Sequence, residues 1–174
     1  MSQRTVAIIQ ARMGSSRLPG KVLLPIADRP MLDWVVRRAQ RASRVDEVMV
    51  ATTNDPADDA LAAWCNQNGI ACYRGSLYDV LDRFYQAARN AQADIVVRIT
   101  ADCPFLDPQV VDETIRAFLE GGVDFAANRL PPPWKRTYPI GLDTEVVHFA
   151  ALERAWREAR ETYEREHVMP YLYS

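Results

Sequence analysis

Absences narrow this sequence first. Its three cysteines, Cys65, Cys72 and Cys103, are an odd number without a C-x-x-C pair, so neither a disulfide framework nor a thiolate zinc site is indicated. Free thiols in a reducing cytoplasm are the expected state. The two histidines, His148 and His167, are too isolated for a zinc motif and read as structural. No apolar run approaches the ~20 residues that a spanning helix needs, and the N-terminus lacks a long apolar core. The formal net charge is −2, with 21 Lys and Arg against 23 Asp and Glu. That balance gives no electrostatic footprint for DNA, RNA or an anionic membrane surface. Repeats and low-complexity segments are missing as well. A soluble cytoplasmic protein of one domain, residues 1–174, with a sizeable core is the expectation.

What is present is an alternation of strand and helix patterns. Val6–Gln10, Val48–Thr52, Ile70–Tyr73, Ile95–Thr100 and Val123–Ala126 read as strands, several as continuous apolar runs of the kind buried on both faces. Helices lie between them. Asp55-Pro56 starts one and Asn68-Gly69 ends it. Ser76 with Asp79 starts another, with Leu77, Val80, Leu81, Phe84 and Ala88 on its buried face. Asp107-Pro108 opens a third, which Gly121-Gly122 closes. Leu142–Val147 returns as a strand, and a helix with Phe149, Leu152 and Trp156 on one face follows it. Glu153–Arg157 and Arg154–Glu158 pair along its solvent side. Right-handed βαβ crossovers follow from this order, giving an α/β fold with a mostly parallel, Rossmann-like sheet and helices on both faces.

The chain is organised around one stretch, Ile8-Ile9-Gln10-Ala11-Arg12-Met13-Gly14-Ser15-Ser16-Arg17-Leu18-Pro19-Gly20-Lys21. An apolar strand breaks there into a loop with two glycines, two serines and three cations. Glycines let backbone N–H groups approach a ligand, serine hydroxyls add donors, and Arg12, Arg17 and Lys21 supply charge for a polyphosphate. It is not a P-loop: five residues separate Gly14 from Gly20, and Val22 follows Lys21. A dinucleotide G-x-G-x-x-G run is absent too. A nucleoside triphosphate cradle is the functional reading; a solvated basic loop whose glycines only turn the chain is the alternative.

The same stretch resembles the opening signature of the cytidylyltransferase superfamily. It is most similar to the spore-coat polysaccharide branch, related to CMP-sialate and CMP-3-deoxy-manno-octulosonate synthetases. Arg74–Phe84 (R-G-S-x-x-D-V-L-D-R-F), Arg98–Pro108 (R-I-T-A-D-C-P-F-L-D-P), Gly141–Val146 (G-L-D-T-E-V) and Arg165–Tyr171 (R-E-H-V-x-P-Y) resemble that branch in the expected order. The resemblance implies a nucleotide-diphospho-sugar transferase type of fold. The implied reaction is Mg²⁺-dependent transfer of CMP from CTP to a sugar or sugar acid, with release of pyrophosphate.

Nucleotidyl transfer rests on positioning and on stabilising charge on phosphate oxygens. Arg17 and Lys21 are the catalytic cations expected on the triphosphate, and Arg12 helps hold the nucleotide. Asp102 follows the strand Ile95–Thr100 and should emerge beside the Gly14 loop. The resemblance makes it the Mg²⁺ ligand; otherwise it is a loop aspartate capping local N–H groups. The nucleotide is expected against Gln10, Ala11, Gly14, Ser15 and Ser16 as well, and against Thr100 and Ala101. Arg74 and Gly75 resemble the part of the family that closes over the base, whereas Asp79 and Asp82 read as capping and surface groups. Cys103 has no histidine to activate it and reads as packing.

The sugar side is expected after Asn128. Leu130-Pro131-Pro132-Pro133-Trp134-Lys135-Arg136 is a stiff loop, because its prolines fix φ and remove donors. It is either a lid with Trp134 against a sugar ring and Arg136 beside it, or an inert connection. Asp143 and Glu145 are expected on opposite faces of one strand, so that a single one reaches the cleft, and the resemblance selects Asp143. It also implies about 60 further residues beyond Tyr171, a size still within one domain. Such a tail carries a second metal-binding aspartate and part of a homodimer interface. Without it, the chain is a fragment, or Asp143 substitutes, or it binds nucleotide without turnover. Another base or sugar is the near alternative. A glycosyltransferase of similar architecture would not need the Arg17 and Lys21 loop.

Overall fold

The computed structural model describes residues 3–129 and 135–173. Strand β1 (Thr5–Gln10) is buried from Thr5 to Ile9, since elements cover both of its faces. It pairs in parallel with β4 (Glu47–Thr53) on one side and β6 (Ile95–Thr100) on the other. β5 (Ala71–Gly75) extends the sheet in parallel beyond β4. On the far side, β8 (Glu145–His148) runs antiparallel to β6, and β7 (Phe125–Ala127) antiparallel to β8. The strand order is therefore β5-β4-β1-β6-β8-β7, a mostly parallel six-stranded sheet. A two-stranded ribbon, β2 (Pro25–Ile26) and β3 (Arg29–Pro30), stands apart from it.

Alternate residues of the buried strands feed two cores. Ala7 and Ile9 of β1 join Val50 and Val97 against α1 (Met31–Ala39), α2 (Asp59–Gln67) and α4 (Pro108–Gly121), through Leu32, Val36, Leu61, Ile115 and Phe118. Val6 and Ile8 join Met49, Val96 and Val147 on the other face, against Leu81, Phe84 and Ala88 of α3 (Val80–Asn90) and Leu152 of α5 (Phe149–Glu158). Each of the larger side chains here, the valines, leucines, isoleucines, phenylalanines and Met49, is worth about 1.5–3 kcal/mol of burial, which makes these two layers the main stabilising term. Helix α6 (Thr162–His167) buries none of its residues and is tied to the start of α3 by an Arg165–Asp79 ion pair.

The chain runs from β1 outwards to β4 and β5, then returns to β6 on the opposite side of β1. That reversal opens a crevice beyond the carboxyl ends of β1 and β6, the usual ligand position in such sheets.

Several elements depart from the sequence reading. The stretch 31–39, for which the sequence reading names no element, is helix α1, with Leu32, Val35, Val36 and Ala39 buried at helical spacing. Helix α3 starts at Val80, not after Ser76. Asp79 is its cap and accepts from the Asp82 N–H at 2.9 Å, while the Ser76 hydroxyl accepts from the Asp79 N–H one turn earlier. The last strand begins at Glu145 rather than Leu142, because Gly141 takes a left-handed φ of 95° and the chain is still turning there. Arg154 pairs with Asp124 at 2.9 Å across the surface, not with Glu158, whose carboxylate accepts from the Tyr171 hydroxyl. Asp107 caps α4 by accepting from the Gln109 N–H at 2.8 Å, and Gly122 ends it at φ 58°, as the spacing predicts.

Candidate functional site

At the end of β1 the Ala11 N–H still donates to the Ala51 carbonyl at 3.2 Å, and the loop then leaves the sheet. Two bonds hold it. The Met13 N–H donates to Asp58 Oδ1 at 2.6 Å, and the Gly20 N–H donates back to the Met13 carbonyl at 2.8 Å. Gly20 needs its glycine, with φ 72°; Gly14 does not lie in the left-handed region, and a Cβ there would meet nothing within 4 Å. Ser15 uses its hydroxyl to accept from the Leu18 N–H at 3.3 Å. Between these anchors, the N–H groups of Gly14, Ser15, Ser16 and Arg17 have no hydrogen-bond partner among the described residues. Arg12 and Arg17 make no ion pair or side-chain hydrogen bond there either.

These residues border a cavity of about 260 Å³. Gln10, Ala11, Arg12, Gly14, Ser15, Ser16, Arg17 and Lys21 line it from the first loop, and Thr100, Ala101 and Asp102 from the end of β6, together with Val22. Lys21 Nζ donates to Asp102 Oδ2 at 2.8 Å, and both residues line the cavity. Burial opposes ionisation of Asp102, but hydrogen bonds from Lys21 and Thr100 and the Lys21 charge outweigh it, leaving the pKa below the ordinary carboxylate value. Asp102 is thus a carboxylate at neutral pH. One of its oxygens faces Lys21, and its side chain is about half exposed at 48%. No group of three or more His, Cys, Asp or Glu gathers into a metal cage among the described residues. A magnesium ion binds through one or two carboxylates, water and substrate phosphates, so a single ionised carboxylate beside an anion cradle is a donor set that fits it.

Asp58 is a site residue that the sequence reading passes over. It is 2% exposed, yet it receives the Met13 N–H, the Thr53 N–H at 3.3 Å and the Thr53 hydroxyl. It locks the loop to the start of α2. Arg83, 1% exposed, donates from Nη1 to the Ser76 carbonyl at 2.7 Å. Burial, followed by the like charge of Arg12, lowers its pKa to about 10.

Arg74 and Gly75 are not brought to this cavity. Arg74 clamps the loop after β4, donating to the carbonyls of Thr53 at 2.9 Å and Asp55 at 3.0 Å and pairing with Asp59 at 2.7 Å. Gly75 gives room to Arg83, whose Cγ would stand 3.0 Å from a Cβ at that position.

A second cavity of about 320 Å³ shares Thr100 with the first. Both Asp143 and Glu145 line it. The expectation that only one of them reaches the cleft is corrected: residues two apart in extended chain share a face. Asp143 is gripped by Arg136 through a two-toothed pair at 2.6 and 3.1 Å. Arg136 itself is not among the lining residues, and Trp134 lies outside the described residues. Arg98, Arg129, Thr144, Tyr163, His167 and Tyr173 complete the wall; Arg98 and His167 lie in the stretches Arg98–Pro108 and Arg165–Tyr171, whereas Arg129, Tyr163 and Tyr173 carry no local signal. His167 therefore borders a cavity, its ring 4.6 Å from that of Tyr163. Cys103 is buried beside the Thr100 hydroxyl at 3.2 Å, and burial raises its thiol pKa, so it stays protonated.

The family model described as cytidylyltransferase matches residues 6–174. The spore coat polysaccharide biosynthesis protein SpsF of Bacillus subtilis is 36% identical over 170 residues, covering 95% of this chain and 68% of that protein. A 3-deoxy-manno-octulosonate cytidylyltransferase of Anaeromyxobacter is 39% identical over 133 residues, 74% of this chain and 52% of that protein. The chain thus spans about half the length of that relative. The solved structure of a cytidylyltransferase from Leptospira borgpetersenii superposes with a TM-score of 0.89 at 36% identity, over 98% of this chain and 71% of the other. No described helix is long and apolar enough to cross a membrane.

Proposed function

Because this chain belongs to the cytidylyltransferase family, we propose that it transfers CMP from CTP to a sugar or sugar acid in the synthesis of a surface polysaccharide or related glycan. The observation that carries this reading is the cradle. Four successive backbone N–H groups and two arginines, none with a partner among the described residues, border one cavity that the Lys21–Asp102 pair also lines. Such a set of donors suits a triphosphate.

In the reaction a hydroxyl oxygen of the acceptor attacks the α-phosphorus of CTP. The α–β phosphoanhydride bond breaks, pyrophosphate leaves with the bonding pair, and the hydroxyl proton passes to solvent. The loop N–H groups hold non-bridging oxygens, Arg12 and Arg17 pair with the phosphate charge, and Lys21 meets the charge that grows on the leaving group. Asp102 would hold a divalent cation, which supplies Lewis-acid neutralisation of phosphate charge. The second cavity adjoins the first at Thr100 and is the place for the acceptor, with Asp143 and Glu145 as hydroxyl acceptors. Arg136 acts there by holding Asp143.

Titration calorimetry with CTP, UTP, ATP and GTP, each with Mg²⁺, tests binding, and pyrophosphate release with sugar acids and neutral sugars tests transfer. Selective binding of CTP with acceptor-dependent pyrophosphate release is the expected result. Equal binding of all four nucleotides refutes the base assignment; binding of none refutes the cradle.

A further inference from the structure

Arg98 stands in β6 between apolar residues, Val97 and Ile99, and it lines the second cavity while bonding to Gln10 of the first. Nη1 donates to Glu145 Oε2 at 2.5 Å, on the neighbouring strand in register with it. Nη2 donates to Gln10 Oε1 at 3.1 Å, at the end of β1. The Phe84 ring lies 5.8 Å from Cζ, on the face where α3 packs. The side chain is only 14% exposed, and its Nε is buried with no hydrogen-bond partner among the described residues. The guanidinium is thus fixed by carboxylate, amide and ring, and it is ordered at the cost of one unmet donor.

A guanidinium has donors and no acceptor. The Gln10 atom that meets it must therefore be the amide oxygen, which leaves the amide N–H₂ pointing elsewhere. That group has no acceptor among the described residues. Gln10 lines the cradle cavity; Arg98 does not. We propose that Arg98 is a positioning residue for the nucleotide: by holding the Gln10 oxygen, it presents the Gln10 amide N–H₂ to an oxygen of the bound triphosphate. Glu145 sets Arg98 from the second cavity, so an acceptor seated against Glu145 is linked to the nucleotide site through one side chain.

This rests on the reading that the cradle takes CTP, and a double-mutant cycle separates the two. Mg·CTP affinity is measured by calorimetry on the wild-type chain, Gln10→Ala, Arg98→Met and the double variant. Each single change is expected to weaken binding about tenfold, the size of one hydrogen bond to a charged group. The double variant is expected to be no weaker than either single one, because both remove the same contact. Losses that multiply to about a hundredfold, as two independent or merely structural effects would, overturn the proposal. So does Arg98→Met with unchanged affinity. If the wild-type chain binds no CTP, the cradle reading fails and takes this one with it. Should Arg98→Met not fold, Arg98→Lys replaces it. An ammonium keeps the charge beside Glu145 but cannot fork to both acceptors, and the same two outcomes decide.

Discussion

Lys21 and Asp102, 81 residues apart, meet at 2.8 Å and join the loop after β1 to the loop after β6. Their side chains are 26% and 48% exposed, so this pair adds little to stability, about 0–1 kcal/mol. Its value lies in setting an ammonium and a carboxylate side by side in the wall of one cavity. Lys21→Ala is accordingly expected to shift the melting temperature of the free protein by no more than about 4 °C, the size of that small stability change. Mg·CTP binding should weaken by about 2 kcal/mol, the worth of a charge-assisted contact. Melting curves with and without Mg·CTP measure both; a large loss of stability with intact affinity would make the lysine structural.

Asp102→Asn separates metal binding from loop capping. Asparagine caps N–H groups about as well as aspartate, so a capping role tolerates the change. A metal role does not. The variant is expected to lose the Mg²⁺-dependent part of CTP binding, and turnover should drop on the order of a thousandfold, or several kcal/mol of barrier. Calorimetry with and without Mg²⁺ gives the answer, and an unchanged response to Mg²⁺ counts against Asp102 as the ligand.

Asp58→Asn is expected to loosen the cradle itself. Two backbone N–H groups and one hydroxyl converge on the Asp58 carboxylate. Asparagine offers a single acceptor oxygen, so its N–H₂ must face a donor. Leaving buried donors unmet should cost about 3 kcal/mol, with a parallel drop in CTP affinity as the Met13 anchor slackens. Urea denaturation measures the first and calorimetry the second. A variant as stable as wild type would show that the loop holds its shape without Asp58.

The parts legible in the sequence are those set by local chemistry. Asp107-Pro108 and Gly121-Gly122 bound α4 because capping and left-handed φ are properties of a few adjacent residues. The meeting of the Gly14 loop with Asp102 followed from both lying at carboxyl ends of parallel strands. What escaped depends on partners far along the chain. Asp58 reads as one more acid in Asp55-Pro56-Ala57-Asp58-Asp59, and its role comes from Met13, 45 residues away. Arg98 opens the stretch Arg98–Pro108, but nothing local gives its contacts, because Glu145 and Gln10 are 47 and 88 residues distant. Helix α1 was legible in principle, since its buried residues recur at helical spacing. Asp143 and Glu145 were likewise legible as sharing a face, since they lie two apart and side chains alternate in extended chain.

Gly75→Ala tests how the segment beside the cradle is packed. The φ of Gly75 is not left-handed, so alanine meets no backbone penalty and would even gain about 0.4–1 kcal/mol from a stiffer unfolded chain. Sterics act the other way. A Cβ would lie 2.9 Å from Tyr73 Cε1, and 3.0 and 3.2 Å from Arg83 Cγ and Cβ. The half-buried Tyr73 ring can shift. The Arg83 atoms cannot, since they sit next to the backbone of α3 and the residue is 1% exposed. Moving Arg83 also strains the 2.7 Å bond from its Nη1 to the Ser76 carbonyl, which holds the turn between β5 and α3. Overpacking of this kind costs about 1–3 kcal/mol and exceeds the entropic gain. The variant should therefore unfold at lower urea concentration with an unchanged slope. If instead the midpoint rises, the entropic effect dominates, and the close approach of Arg83 is not what requires glycine at position 75.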